Sequence, residues 1–239
     1  MATKNVIVDN KNFDISYEIV NPTAKKDIIF LHGWGSNKDI MKNVFSSYLK
    51  DFRHIYIDLP GFGKSSNNYI LTTQDYAKIV DGFLKLLGST KDIIAGHSYG
   101  GKVAVLLNPK NLVMLSSAGI LEEKPFDVKV KIFFAKVFNT LGLKIITKRF
   151  RSKDVNTMSE NMYGTFKNVL NEDFSSYFSN FSNNALVFWG EKDTATSLQS
   201  GKKMASLLKK STFTSYDGDH FFFAQHAKNI SERIENGIL

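Results

Sequence analysis

Residues 96–100 read Gly96-His97-Ser98-Tyr99-Gly100, and this pentapeptide constrains the chain more than any other stretch. Upstream, Asp92-Ile93-Ile94-Ala95 is a short apolar run of the kind that forms a buried strand. Downstream, Gly101-Lys102-Val103-Ala104-Val105-Leu106-Leu107 opens as a helix. A serine at so tight a strand-to-helix turn has a strained backbone, and its Oγ stands clear of the sheet. The residues two before and two after it must be small, or their side chains collide across the turn. The first amides of the helix point at the same place and favour developing negative charge. A glycine-flanked serine also occurs in ordinary turns. The reading therefore depends on whether the rest of the chain supplies a base, an acid and oxyanion donors.

The surrounding pattern is that of a parallel sheet. Val6-Ile7-Val8 and residues 13–19 are short β-type runs joined by Asp9-Asn10-Lys11-Asn12, which predicts an antiparallel hairpin. Asp27-Ile28-Ile29-Phe30-Leu31 is almost continuously apolar, as expected of a strand buried on both faces. His54-Ile55-Tyr56-Ile57, the run before Ser98, Asn111-Leu112-Val113-Met114-Leu115-Ser116 and Ala185-Leu186-Val187-Phe188-Trp189-Gly190 follow in turn, and residues 212–216 alternate as a last strand. Between them, residues 38–50, 72–87 and 197–210 have helical spacing, with Thr72 or Thr73 as N-cap and Gly88 as stop for the second. A closing helix starts near Phe222. Strands alternating with helices at this cadence indicate an α/β fold with a mostly parallel central sheet flanked by helices. Such sheets bind ligands at the carboxyl ends of their strands.

The cadence breaks between residues 121 and 184. Residues 128–148 are helical in pattern and carry Lys129, Lys131, Lys136, Lys144 and Lys148; residues 159–170 form a second helical run with Met158, Met162, Tyr163 and Phe166 nearby or within it. This segment is expected to be a helical cap inserted over the site. The core is then formed by residues 1–120 and 185–239, a size that fits one domain among 239 residues. Met158, Met162 and Phe166 are the expected substrate-pocket residues.

Three side chains stand at the ends of strand-like runs in the order serine, acid, histidine: Ser98, Asp193 and His220. A serine hydroxyl is a weak nucleophile and needs a base, which in turn needs an orienting carboxylate. Asp217 and Asp219 adjoin His220 too closely to reach its Nδ1 and are assigned to the loop. His226 falls within the last helix, and His97 flanks the serine and does not fold back onto it. His32 precedes the serine and is read as bonding its own loop. The glycines of His32-Gly33-Trp34-Gly35-Ser36 let a backbone approach a ligand, and the N–H of Trp34 is the expected oxyanion donor from that loop. Gly61-Phe62-Gly63 lacks the spacing of a phosphate-binding fingerprint and is read as a tight turn.

Taken together, His32-Gly33-Trp34-Gly35, Asp58-Leu59-Pro60-Gly61-Phe62-Gly63-Lys64-Ser65, the pentapeptide with Gly101, Gly190-Glu191-Lys192-Asp193 and Asp219-His220 resemble the α/β-hydrolase-fold serine hydrolases over nearly the whole chain. The resemblance implies Ser98 as nucleophile, His220 as base, Asp193 as acid, and the amides of Trp34 and Tyr99 as the oxyanion hole. It implies a carboxylesterase-like enzyme with a helical cap that works through an acyl-enzyme, and the phenylalanines and methionines of the cap suggest an ester with a small to medium apolar group. Cleavage of a carbon–carbon bond in a β-diketone, or perhydrolase or acyltransferase chemistry, uses the same triad. A hydrolase fold kept as a non-catalytic binding protein is the non-enzymatic alternative.

Composition bounds the partners. There is no cysteine, hence no disulfide or thiolate site, and no His/Asp/Glu spacing suggests a metal or cofactor. A net charge of +8 arises mostly from scattered lysines without a nucleic-acid-binding motif. No apolar run is long enough to span a bilayer, and the amino-terminal residues have no signal-peptide core. The expectation is a cytoplasmic protein whose partner is a small ester-like molecule, with neither nucleic acid nor stable membrane insertion.

Overall fold

The computed structural model describes residues 2–122 and 158–238. The expected helix at 128–148, with its lysines, lies outside the described residues. One eight-stranded sheet organises the rest, in the order β1-β2-β4-β3-β5-β6-β7-β8. The strands are β1 (Ala2–Val8), β2 (Lys11–Val20), β3 (Lys26–Leu31), β4 (Phe52–Ile57), β5 (Ile93–His97), β6 (Asn111–Leu115), β7 (Asn184–Gly190) and β8 (Ser211–Tyr216). β1 and β2 form an antiparallel hairpin, and β2 meets β4 antiparallel. Every pairing from β4 through β8 is parallel. The hairpin turn is tighter than the sequence pattern suggests: Asp9 and Asn10 alone form it, at φ 49° and 60°, and two such residues match the twist of the flanking strands.

The parallel strands are buried on both faces. In β3, Ile28 and Phe30 join one apolar cluster while Ile29 and Leu31 join the other. That two-sided burial is why the run lacks a polar alternate. One face packs on α1 (Lys38–Phe45) and α7 (Phe223–Ile238) through Met41, Phe45, Ile230 and Ile234. The other packs on α2 (Thr73–Leu86), α3 (Tyr99–Leu106) and α6 (Leu198–Leu207) through Val80, Phe83, Val103 and Met204. Helix α2 starts at a complete capping box: Thr72 Oγ1 accepts from the Asp75 N–H, and the Asp75 carboxylate accepts from the Thr72 N–H.

Two further helices, α4 (Glu160–Leu170) and α5 (Ser175–Asn180), belong to the stretch that breaks the βα cadence. Phe174, Phe178 and Phe181 of the second half join the main core, with Phe178 and Phe174 closing on Gly119. Helix α4 is bound to the loop before α2. The Leu71 N–H donates to Thr165 Oγ1 at 3.0 Å, and Asn161 and Asn168 donate to the carbonyls of Asn67 and Leu71 at 2.8 and 3.1 Å. Among the described residues no helix is long and apolar enough to cross a membrane.

Candidate active site

Parallel strands β3 to β8 send their following loops to one edge, and these loops carry the residues singled out in the sequence. Ser98 sits between β5 and α3 at φ 51°, ψ −119°, a conformation that L-residues avoid unless the surroundings impose it. The surroundings do. A Cβ on Gly96 would lie 2.6 Å from the Gly100 carbonyl, and one on Gly100 would lie 2.4 Å from the Leu31 carbonyl oxygen. The Ser98 N–H donates to the Leu115 carbonyl at 3.1 Å. The Ser98 carbonyl accepts from Gly101 and Ala118, each at 3.0 Å. The turn is thereby hydrogen-bonded to β6 and its loop and packed closely against the end of β3.

At the ends of β7 and β8, Asp193 and His220 meet: His220 Nδ1 donates to Asp193 Oδ2 at 2.8 Å. The Asp193 side chain is fully buried, that of His220 partly exposed. Asp193 Oδ1 accepts from the amides of Ala195 and Thr196 at 2.8 and 3.0 Å. The Thr196 hydroxyl reaches Asp193 Oδ2 at 2.9 Å and the Ser116 carbonyl at 3.1 Å. Burial alone would raise this carboxyl, but the hydrogen bonds from His220 and Thr196 outweigh it and bring its pKa down to about 2. The carboxylate is thus charged and fixed, and it sets the Nδ1–H tautomer of His220, leaving Nε2 as acceptor. Among the described residues no hydrogen bond joins Ser98 Oγ to His220. The two are linked through His97, whose Nε2 donates to the His220 carbonyl at 3.0 Å.

The competing groups have other partners. His32 is buried, its Nδ1 donates to the Gly33 carbonyl at 2.8 Å, and its Nε2 accepts the Leu59 N–H at 3.0 Å. Burial lowers its pKa to about 4, so the ring is neutral and pins two loops together. Asp219 accepts the Phe221 N–H, Asp217 pairs with Lys192, and His226 Nε2 donates to the Asp217 carbonyl. Behind the 58–65 loop, Asp58 is buried and ion-paired to Lys38 at 2.7 Å, and it also accepts the Lys64 N–H at 3.0 Å.

Trp34 stands edge-on to Phe62 and Tyr99 and packs on Phe166 at a centroid distance of 5.4 Å. The backbone N–H groups of Trp34 and Tyr99 donate to no group among the described residues. A cavity of about 730 Å³ opens beside them, lined by Trp34, Gly35, Gly61, Phe62, Met158, Ser159 and Met162. Of the three expected pocket residues, Met158 and Met162 line this cavity, whereas Phe166 is not among its described lining residues and packs on Trp34 instead. Among the described residues the lining carries no charged side chain. Among the described residues there is no group of three or more His, Asp or Glu placed to hold a metal ion.

Two features have weaker sequence signals. Thr196 and Ser116 support Asp193; the Asp-Thr-Ala-Thr run at 193–196 is a local cue, since an Asp commonly accepts from amides two and three residues on. Lys102 is buried, donates to the Val169 carbonyl at 2.7 Å and lies 3.5 Å from Glu172. Thr73 Oγ1 also donates to Glu172, and Tyr99 OH reaches Thr73 at 3.4 Å. No spacing rule predicts a lysine on the buried face of α3.

Residues 28–232 match the model of the alpha/beta hydrolase family. The chain belongs to that family. It is similar to the uncharacterized hydrolase YugF of Bacillus subtilis, at 25% identity over 97% of this chain and 96% of that protein. It also resembles a pimeloyl-[acyl-carrier protein] methyl ester esterase of Proteus mirabilis, at 34% identity, but over only 37% of this chain and 34% of that enzyme. The esterase EaEST from Exiguobacterium antarcticum superposes with a TM-score of 0.77 at 17% identity, covering 99% of each chain. At that identity the likeness shows a shared fold.

Proposed function

We propose that this family member is a serine esterase in which Ser98 is the nucleophile, His220 the base and Asp193 the orienting acid. The observation that carries the reading is the 2.8 Å bond from His220 Nδ1 to a carboxylate held ionised, at the same sheet edge as a serine in a forced turn. In ligand-free hydrolases the serine–histidine bond is commonly long and tightens on substrate, which is the movement this reading requires of Ser98 Oγ.

His220 Nε2 takes the hydroxyl proton as Oγ attacks the ester carbonyl. The oxyanion then lies against the N–H groups of Trp34 and Tyr99, each donor supplying about 3 kcal/mol of transition-state stabilisation. His220 returns the proton to the departing alcohol. Water attacks the acyl-enzyme with His220 again as base, releasing the acid and restoring Ser98 Oγ–H. The uncharged side chains of Trp34, Phe62, Met158 and Met162, which line the cavity, suit a small to medium apolar acyl or alcohol group. In this reading α4, held along the loop before α2, forms a fixed wall of the site.

The test is hydrolysis of short p-nitrophenyl esters together with labelling by a fluorophosphonate. Wild-type protein is expected to cleave and label, and Ser98→Ala to do neither. Cleavage at the wild-type rate by Ser98→Ala overturns the assignment.

A further inference from the structure

His97 is the last residue of β5, is 1% exposed and immediately precedes Ser98. An aliphatic side chain would fill a strand end in this core without the cost of burying an imidazole. Its two nitrogens are unequal. Nδ1 is buried with no hydrogen-bond partner among the described residues, and a Cβ on Gly33 would come within 3.2 Å of it. Nε2 lies 3.0 Å from the His220 carbonyl oxygen. The proton therefore sits on Nε2 and is donated to that carbonyl. The ring also packs against the segment that follows β8, with centroids 4.6 Å from His220, 5.1 Å from Phe221 and 4.9 Å from Phe223.

We propose that His97 is the positioning residue for His220, tying its main chain to the strand that carries Ser98 while Asp193 holds its ring. The inference rests on the triad reading given above. The base arrives on an exposed loop: Asp217, Asp219 and Phe221 all face solvent. The loop's other main-chain tethers act before residue 220: the Lys192 N–H donates to the Gly218 carbonyl at 2.9 Å from the β7 side, and His226 Nε2 and the Phe222 N–H donate to the carbonyls of Asp217 and Asp219. His97 is the contact from the β5 side that reaches residue 220 itself. The groups that face it are His220, Asp193 and His32. Burial, with His220 adjacent, pushes its own pKa down to about 3. It therefore stays an uncharged donor and does not oppose positive charge on His220. A displacement of the base by even 1 Å costs about 100-fold in rate, so a tether at residue 220 has a kinetic signature.

The experiment compares wild type, H97F, H97Q and S98A in ester hydrolysis and in the rate of fluorophosphonate labelling. Glutamine places an amide N–H near the position of Nε2; phenylalanine keeps the ring and removes the donor. H97F is expected to lose about 100-fold in kcat and a similar factor in labelling rate, with KM within twofold and an unchanged far-ultraviolet dichroism spectrum. H97Q is expected to recover at least tenfold of that loss. Should H97F fail to fold, H97N takes its place on the same thresholds, its amide being too short to reach the carbonyl. An H97F rate within threefold of wild type, or H97Q no faster than H97F, overturns the inference while an inactive S98A leaves the triad reading standing. An active S98A overturns both.

Discussion

His220 and Asp193 come from loops after adjacent parallel strands and meet at 2.8 Å, the imidazole N–H pointing at a carboxylate that three further donors surround. The acid is therefore held by its own loop before the histidine is added. Its pKa near 2 lies below the ordinary 3.8, so the folded state binds this proton more weakly than the unfolded chain. Stability from this group is complete above about pH 4 and is lost as pH falls toward 2, a contribution of about 2 kcal/mol. Urea unfolding of wild type and Asp193→Asn across pH 2–6 is expected to show the wild-type advantage shrinking over that window. The same substitution is expected to lower kcat about 10⁴-fold at neutral pH by freeing the His220 tautomer. A kcat within tenfold of wild type would show that another group orients the base.

The glycine at position 100 has no room to change. Its would-be Cβ lies 2.4 Å from the Leu31 carbonyl oxygen and 2.7 Å from that of His32, both main-chain atoms of the neighbouring strand and its loop. Gly100→Ala must push α3 away from β3, at a cost of about 3 kcal/mol, which for a chain of this size is roughly a 9 °C fall in Tm. Differential scanning calorimetry reads it directly. Gly35→Ala meets no atom within 4 Å but sits at φ +74°, so its cost is that of backbone strain alone, about 1 kcal/mol. Equal losses for the two would contradict the steric account.

Asp58 and Lys38 form a buried ion pair at 2.7 Å, the lysine 2% exposed and the aspartate fully buried. Asp58→Ala leaves an ammonium in the interior with Ser16 Oγ at 3.2 Å as its remaining partner among the described residues, and a loss of 3–5 kcal/mol is typical of such a break, so about 3 kcal/mol is expected. Removing both charges in Lys38→Met/Asp58→Ala is expected to be less damaging than Asp58→Ala alone. Chemical denaturation of the two variants checks the order, and the reverse order would mean that the carboxylate matters for the 58–65 turn rather than for the pair.

Much of this architecture is legible in the sequence because its determinants are local. The continuous apolar runs of β3 and β5 are two-sided burial written in composition, and Gly96 and Gly100 report a turn that excludes side chains. The order of Ser98, Asp193 and His220 becomes spatial because each follows a strand of one parallel sheet, so distance along the chain turns into adjacency at one edge. What was not legible depends on contacts between distant segments. His97 meets His220 across 123 residues, and Lys102 meets Val169 across 67. Neither carries a periodicity or spacing of its own. Phe174 and Phe178 likewise read as part of the inserted segment, yet they pack into the main core, where the Phe178 ring and Phe174 Cβ come against Gly119.

Met162 is the side chain on which chain-length preference is expected to turn. It is 8% exposed, lines the cavity together with Trp34 and Phe62, and its sulfur would lie 2.4 Å from a Cβ on Gly61. Asn67 donates to the same sulfur at 3.4 Å, so the thioether is held rather than free to sweep the cavity. Because α4 is hydrogen-bonded along the 67–71 loop, Met162→Ala removes volume without releasing the wall. The cavity deepens, and the variant is expected to shift its kcat/KM ratio toward esters about three methylenes longer, by about tenfold, at a stability cost of about 2 kcal/mol. A series of p-nitrophenyl esters from acetate to decanoate, compared between wild type and variant at fixed temperature, measures the shift. An unchanged profile would place the acyl or alcohol chain elsewhere and remove Met162 from the pocket.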